Sequence, residues 1–402
     1  MTTRLAILSV NAGSSSLKFA LYPVYGSEAG TAAFAGQAEG LEPGGRPRMA
    51  YGAAGEPRSE RALQPQGGES SFEAALRGVM DATAHAGGWH IVAVAHRVVH
   101  GGARYRESVI VDDAVLAHLA TLEPLAPLHQ PHNLDGVRAC RKAFPDLPQV
   151  ACFYTAFHAG APEHEQRLAL PDSFWDEGVR RYGFHGLSYA YVSATLARHT
   201  PQAAGRMLLA HLGNGASLCA VKGGRSIGST MGFSALDGLM MGTRCGSLDA
   251  GVLLHLLRQG RTVDDIERLL YKQSGLLGVS GLSADMRTLR ATDAPGARRA
   301  LQLFTHRVIR ESGALVACLG GLDLLGFTGG IGEHDVQLRH DVADGLAHLG
   351  VRLDAQANRA ATGDEVCAIH AADSTVQVWV VPTDEGRVAA RDTLALLKTQ
   401  SA

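Results

Sequence analysis

The sequence predicts an α/β protein, and three observations carry that expectation. Short apolar runs that close on glycine turns recur from one end of the chain to the other. Stretches of helical character alternate with them, which is the pattern of an α/β architecture. At 402 residues, 46% hydrophobic and 19% charged, the chain is long enough for two domains, each burying its own core. Its 48 glycines exceed the roughly 7% average, and many stand directly after an apolar run. That arrangement brings backbone N–H groups against phosphate in nucleotide-binding α/β proteins.

Taken in order, residues 5–10 (LAILSV) read as a buried strand, and 17–23 as its partner after the turn NAGSSS at 11–16. Residues 38–68, rich in Gly, Pro, Arg and Glu, read as peripheral strands and exposed loops. Residues 71–86 have helical character, and 91–94 form a short buried strand. A second strand–turn–strand spans 207–221 and encloses HLGNGAS at 211–217, so the chain reads as an internal duplication opened twice by a glycine hairpin. Residues 322–328 read as a strand ending in GGIGE at 329–333, and 376–381 as another ending in PTDE at 382–385. Apolar residues at 388, 389, 390, 394, 396 and 397 predict a closing helix over 385–398. No low-complexity linker divides the chain, which suggests two lobes held closely around a cleft.

Several function classes are excluded. A net charge of −2 and a pI near 6.8 offer no general grip on nucleic acid or an anionic membrane. The apolar run at 5–10 is too short for a signal peptide, and 313–327 is interrupted by Asp323 and glycines, so no membrane span is expected. Six cysteines without a C-x-x-C pair read as free thiols in a reducing compartment, and a cytoplasmic location is expected. His129 with His132, or His96 with His100, has metal-ligand spacing, but no Cys or carboxylate set accompanies either pair.

Singly, each glycine motif is an ordinary turn, each arginine a surface residue and each histidine a core residue. Together, three glycine turns, two arginines and two histidines on turns, and a late acidic pair make a phosphoryl-transfer kit. Carried by these residues, the chain resembles the acetate/propionate/butyrate kinase family of the actin–Hsp70–sugar-kinase fold. The resemblance runs end to end. It includes LSVNAGSSSLK at 8–18, AHRVVHGG at 95–102, APLH at 126–129, TAFH at 155–158 and RRYGFHG at 180–186. It continues through HLGNGAS at 211–217, MGF at 231–233, GLMMGTR at 238–244, SGLLG at 274–278, FTGGIGE at 327–333 and PTDE at 382–385.

The resemblance implies two similar ribonuclease-H-like (actin-like ATPase) domains flanking a nucleotide cleft. The first would cover residues 1–153 plus 387–402, closed by the C-terminal helix, and the second, nucleotide-binding, 154–386. It also implies reversible Mg-ATP-dependent phosphorylation of acetate to acetyl phosphate by direct in-line transfer, with Mn²⁺ able to substitute. Propionate is the alternative acid and a homodimer the expected assembly. Arg97 and Arg244 would clamp the carboxylate and the moving phosphoryl group, a task suited to a planar, always-charged fork. His185 would donate to the phosphoryl oxygens, with His129 in support. Asn11 and Glu385 would hold Mg²⁺, largely through water. Ser14, Ser16 and Lys18 on one hairpin and His211, Gly213, Asn214 and Gly215 on the other would take the ATP phosphates. Asp285, Met286 and Arg287 would meet base and ribose, and Gly329, Gly330, Ile331 and Gly332 the adenosine. Val99, Leu128, Phe184 and Ala235 would form the acyl pocket.

Position 154 departs from the family pattern. The family reads FDTAFH where this chain reads FYTAFH at 153–158, placing Tyr154 where an aspartate is implicated in metal binding. Loss of a charge-assisted hydrogen bond is worth roughly 1.5–3 kcal/mol, a ten- to hundredfold loss of rate at about 1.4 kcal/mol per decade. Three readings stay open: an active but slower enzyme, a deliberately altered form of an ordinary one, or a catalytically impaired ATP-binding sensor or scaffold. Milder departures are Tyr189 for a histidine, Ser247 for an acidic residue, His334 for an asparagine and Ala235 for a proline. The last removes ring volume from the acyl pocket, so propionate should be accepted relatively well.

Overall fold

The computed structural model describes residues 4–85 and 88–401. Ala86, the end of the first expected helix, and residues 1–3 and 402, the ends of the first expected domain, lie outside the described residues. The chain divides into two compact units, Met1–Ala156 with Asp384–Ala402, and Phe157–Thr383.

The first unit holds a nine-stranded sheet: β1 (Arg4–Ala12), β2 (Ser16–Tyr25), β3 (Glu28–Ala29), β4 (Phe34–Glu39), β5 (Arg48–Ala53), β6 (Ser59–Ala62), β7 (Trp89–Val98), β8 (Val109–Ile110) and β9 (Gln149–Phe153). The order is β6-β5-β4-β2-β1-β7-β9-β8, with β3 paired to β2. β1 is antiparallel to β2 and parallel to β7, which is parallel to β9. Helices cover the sheet, so β1 is buried from Ala6 to Val10 and reads as one continuous apolar run. Alternation still sorts its side chains: Ala6, Leu8, Val10 and Ala12 join the core of Leu76 and Val79 from helix Ser71–His85. That helix starts where Ser70 Oγ accepts from Glu73 N (3.2 Å) and the Glu73 carboxylate accepts from Ser70 N (3.0 Å), a reciprocal cap.

The second unit holds a six-stranded sheet: β10 (Arg206–Leu212), β11 (Ala216–Lys222), β12 (Arg225–Ser229), β13 (Leu324–Thr328), β14 (Cys367–Ala368) and β15 (Gln377–Val380), in the order β12-β11-β10-β13-β15-β14. β10 is antiparallel to β11 and parallel to β13, which is parallel to β15. The run β4-β2-β1-β7-β9 of the first unit is therefore repeated in kind as β12-β11-β10-β13-β15.

The joins between the units fall three residues from the sequence expectation on each side. Tyr154 N donates to Val98 O (3.0 Å) and Gly101 N to Thr155 Oγ1 (3.1 Å), which keeps 154 and 155 with the first sheet. The closing helix, Glu385–Ser401, carries its first turn into the same unit. β7 runs well beyond the expected 91–94, because the polar His96 and Arg97 continue a strand whose apolar run has ended. Among the described residues no helix is long and apolar enough to cross a membrane.

Candidate active site

In the first unit, chain direction gathers charge at the carboxyl ends of parallel strands. Arg97 is the penultimate residue of β7, Tyr154 follows β9, and Glu385 opens the closing helix. Arg97 Nη2 donates to Tyr154 Oη (2.7 Å) and to Glu385 Oε2, and Tyr154 Oη donates to the same carboxylate oxygen (3.2 Å). The guanidinium also lies 5.6 Å from the centre of the Tyr154 ring. Burial, opposed by Arg97, pushes the Tyr154 phenol above its usual range, so it stays protonated and able to donate. Burial works against the Arg97 charge, but Glu385 and Tyr154 outweigh it and the net shift is upward.

Helix Gln130–Ala143 braces the segment that follows Arg97. Asn133 accepts from Val99 N (2.9 Å) and donates to Ala12 O (2.7 Å), tying the end of β1 to the residue after β7. Gln130 exchanges two hydrogen bonds with the His100 backbone (3.2 and 3.1 Å). Neither residue was singled out from the sequence, although their i, i+3 spacing after APLH puts them on one helix face.

In the second unit, His185 precedes helix Gly186–His199 and sits in the left-handed region (φ 57°), alone in this among the described non-glycine residues. Three contacts hold it there. Its Nδ1 meets Ser217 Oγ (2.8 Å), its ring stacks on His211 at 4.1 Å, and His158 Nε2 bonds the preceding carbonyl of Phe184 (2.8 Å). Burial, with His211 and Arg244 adding to it, holds the His185 pKa well below the usual histidine range. Arg244 Nη1 donates to Ala235 O (3.0 Å), and burial lowers the Arg244 pKa. A Cβ placed on Gly215 would lie 3.3 Å from His185 Nε2 and 3.8 Å from Arg244 Nη1, so both nitrogens face bare backbone. The SGLLG motif supports this loop, with Ser274, Leu276 and Leu277 N–H groups bonding the carbonyls of Thr243, Met241 and Gly242.

Gly213, Asn214, Asp285, Met286, Arg287, Gly330 and Ile331 line one cleft of about 1050 Å³ in the second unit. The Arg287 side chain bonds Asp285 (2.7 Å) and, with the Arg287 backbone N–H, holds that carboxyl at about 2. Of residues 329–332, which the sequence sets against the adenosine, Gly330 and Ile331 line this cleft. A Cβ on Gly329 (φ 75°) would meet Leu212 O at 2.8 Å, and one on Gly332 would meet Ala210 O and Phe327, so these two pack on strands β10 and β13. Gly330 has open space beside it. Arg339, fully buried and unremarked in the sequence, fixes the far end of helix Gly329–His334. It donates to Gly332 O (3.0 Å), Glu333 O (2.7 Å), Asn358 Oδ1 and O (both 2.8 Å) and Ala361 O (3.0 Å). An arginine in a helical pattern ordinarily reads as exposed.

The remaining expected residues divide between the units. Asn11, paired with Lys18 in the first hairpin, lies in the first unit with Ser14, Ser16, Val99, Leu128 and His129; Lys18, Ser14 and His129 are exposed. Phe184 (buried) and Ala235 (half-buried) lie in the second. Among the described residues no three His, Cys, Asp or Glu groups converge on a metal position, and Glu385 bonds Arg97 and Tyr154. That donor set does not fit a resident protein-held metal, so Mg²⁺ enters below only as part of the nucleotide substrate. His96 bonds Gln149 (2.8 Å) and is held at about 4 by burial, and His100 accepts from Gly102 N (2.8 Å), so this pair forms no metal site.

Known proteins resemble the chain over nearly its whole length. The acetokinase family model matches residues 6–391. An acetate kinase of Rhodopseudomonas palustris is 48% identical over 391 residues, 96% of each chain. The crystal structure of Porphyromonas gingivalis acetate kinase superposes with a TM-score of 0.88 at 35% identity, covering 98% of this chain and 99% of that one. A propionate kinase from Francisella tularensis gives 0.87 at 35% identity, with 96% and 98% covered. The chain belongs to the acetokinase family.

Proposed function

We propose that the protein is an acetate kinase, transferring the γ-phosphoryl group of Mg-ATP to acetate to give acetyl phosphate and ADP. A carboxylate oxygen of acetate forms the new P–O bond as the bond to the ADP oxygen breaks, and the reverse reaction retraces that path. The observation that carries this reading is the convergence of His185 Nε2 and Arg244 on the bare face of Gly215, beside a cleft of nucleotide size. Phosphoryl transfer needs positioning and neutralisation of oxygen charge, and these are fixed donors of that kind.

In this reading Arg244 and His185 donate to the phosphoryl oxygens, and Arg97 orients the acceptor carboxylate. The turn residues Ser14, Ser16, Gly213, Asn214 and Gly215 take the phosphates, with His211 and Lys18 near them. Gly330, Ile331, Met286, Asp285 and Arg287 hold the nucleoside. Mg²⁺ arrives on ATP and keeps most of its water, with Asn11 and Glu385 meeting that water shell. Val99, Leu128, Phe184 and Ala235 enclose the methyl group, with His129 at the rim. Propionate is the second substrate, favoured by the small side chain at Ala235 and by the likeness to a propionate kinase.

We also place the protein in the cytoplasm, in keeping with its free cysteines, and propose a homodimer. Helix Ala250–Arg258 has no buried residue and exposes Leu254 and Leu257, three apart on one side, at 53% and 46%, apolar surface that a second copy would cover. The deciding assay traps acetyl phosphate as its hydroxamate from Mg-ATP and acetate, beside a titration of ATP binding. Product formation is expected. Binding without product would replace the enzyme with the sensor or scaffold.

A further inference from the structure

Ser217 is fully buried on β11, and its hydroxyl is the middle of a three-group chain. Its Oγ lies 2.8 Å from His185 Nδ1 on one side and 2.5 Å from Tyr189 Oη on the other. Tyr189 is itself fully buried, and burial drives its phenol well above the usual range, so the phenol proton is present. Two hydroxyl protons must therefore be placed among three heavy atoms.

Only one placement uses both. If Tyr189 donates to Ser217, the serine donates onward to His185 Nδ1 and each proton has an acceptor. In the reverse order Nδ1–H donates to Ser217 and Ser217 to Tyr189. The phenol proton then has no acceptor among the described residues, and an unmade hydrogen bond in a dry site is costly. The imidazole is neutral, so a bare Nδ1 puts the ring proton on Nε2. Nε2 makes no hydrogen bond among the described residues, yet it is not one of the sealed, unpartnered polar atoms, so solvent can take its proton as it cannot take that of the fully buried phenol; it is the atom that faces Gly215 and Arg244.

We propose that Ser217 and Tyr189 are positioning residues that lock His185 in the Nε2–H tautomer, making it a fixed hydrogen-bond donor toward an anionic oxygen at the face of Gly215. The inference rests on the phosphoryl-transfer reading for its consequence, though not for its geometry. With the opposite tautomer, Nε2 would present a lone pair to the phosphoryl oxygens and repel them. The left-handed backbone of His185 serves the same end, because it aims the ring so that Nδ1 meets the serine while Nε2 stays open.

Protein labelled with ¹⁵N-histidine tests this directly, since long-range ¹H–¹⁵N correlation spectra separate the two neutral tautomers. The His185 signals are those missing from His185→Gln. The wild-type chain should show the Nε2–H pattern at pH 7; an Nδ1–H pattern there overturns the proposal whatever the activity. Ser217→Ala should populate both tautomers and lower kcat about tenfold, less than loss of a whole oxyanion donor, with the KM for ATP within about threefold. Tyr189→Phe keeps the packing but frees the serine to donate or accept. It should show the same mixing with a smaller fall in kcat, and it decides the matter if Ser217→Ala does not fold. An unchanged His185 pattern in Tyr189→Phe and in any folded Ser217→Ala overturns the proposal. A locked Nε2–H tautomer that both variants release, in a protein that makes no acetyl phosphate, overturns the kinase reading and leaves this inference standing.

Discussion

The two units use one strand order, yet the carboxyl ends of their parallel strands carry opposite chemistry. In the first unit the ends of β7 and β9 present side chains: Arg97, Tyr154 and, from the closing helix, Glu385. In the second, the ends of β13 and β15 are stitched by Glu333. Its Oε1 accepts from Gly329 N (2.8 Å), Thr328 Oγ1 (3.2 Å) and Thr383 N (3.1 Å). That carboxylate is consumed by its own backbone, and what faces the cleft is bare Gly330. A repeated scaffold thus yields one charged end and one glycine end. The charged end suits a small carboxylate that needs a partner ion, and the glycine end suits a flat nucleoside that needs close approach.

Removing Arg97 should break this division most visibly. Arg97→Ala should lower kcat/KM for acetate by about 10²–10³, the scale set by losing one charge-stabilising donor, and leave ATP binding within about threefold. It also strands Glu385, whose side chain is only 10% exposed. Breaking a buried pair from one side costs about 3–5 kcal/mol, so a thermal melt must accompany the kinetics. Equal loss of ATP affinity would mean that the units do not divide the substrates as proposed.

Tyr154→Asp probes the same end from the other direction. The phenol hydroxyl now bridges Arg97 and Glu385 without adding charge. Restoring a carboxylate should raise the acetate-dependent rate at least about tenfold, equivalent to ~1.4 kcal/mol of transition-state stabilisation. An unchanged rate under saturating Mg-ATP would sink the idea that this end lacks a negative charge.

Gly330→Ala is the matching test on the glycine end. Open space beside Gly330 means the protein should accept the methyl with its Tm unchanged. The nucleotide should not, and the KM for ATP is expected to rise about tenfold, roughly 1.4 kcal/mol of binding, with kcat retained. Gly329→Ala is the contrast, because its positive φ and the nearby Leu212 carbonyl make it a stability defect first. If both variants behaved alike, the split between cleft-facing and sheet-facing glycines would fail.

How far the sequence carried this comparison depended on the kind of signal. Both hairpins were legible, because an apolar run, a glycine turn and a second apolar run is a local pattern. Their repetition made the duplication legible too. The polar end of β7 and the two-residue strands β3, β8 and β14 were not, since pairing rather than side-chain pattern defines them. Within the site, charged residues at turns stood out by type. Residues that act by burial did not: Arg339 looks like any exposed helix arginine, and Ser217 like any strand serine. The division of residues 329–332 into two that face the cleft and two that face the sheet is set by packing on β10 and β13, which no linear motif encodes.

The smallest expected effect concerns which acid is preferred. Ala235 is half-buried, and its carbonyl holds Arg244 Nη1 at 3.0 Å. Ala235→Pro restores ring volume to the proposed acyl pocket while keeping that carbonyl. Any shift of Arg244 would slow both acids together, so the informative quantity is the ratio of kcat/KM for propionate to that for acetate. A single methylene is worth about 1–3 kcal/mol in a tight apolar pocket, and a half-buried one should sit at the low end. In the unaltered chain the ratio should stay above about one-tenth, and proline should lower it by about three- to tenfold. A ratio that proline leaves unchanged would assign acyl selectivity to the Val99 and Leu128 side of the machinery, sharpening the contrast between the two units to selectivity in one and transfer in the other.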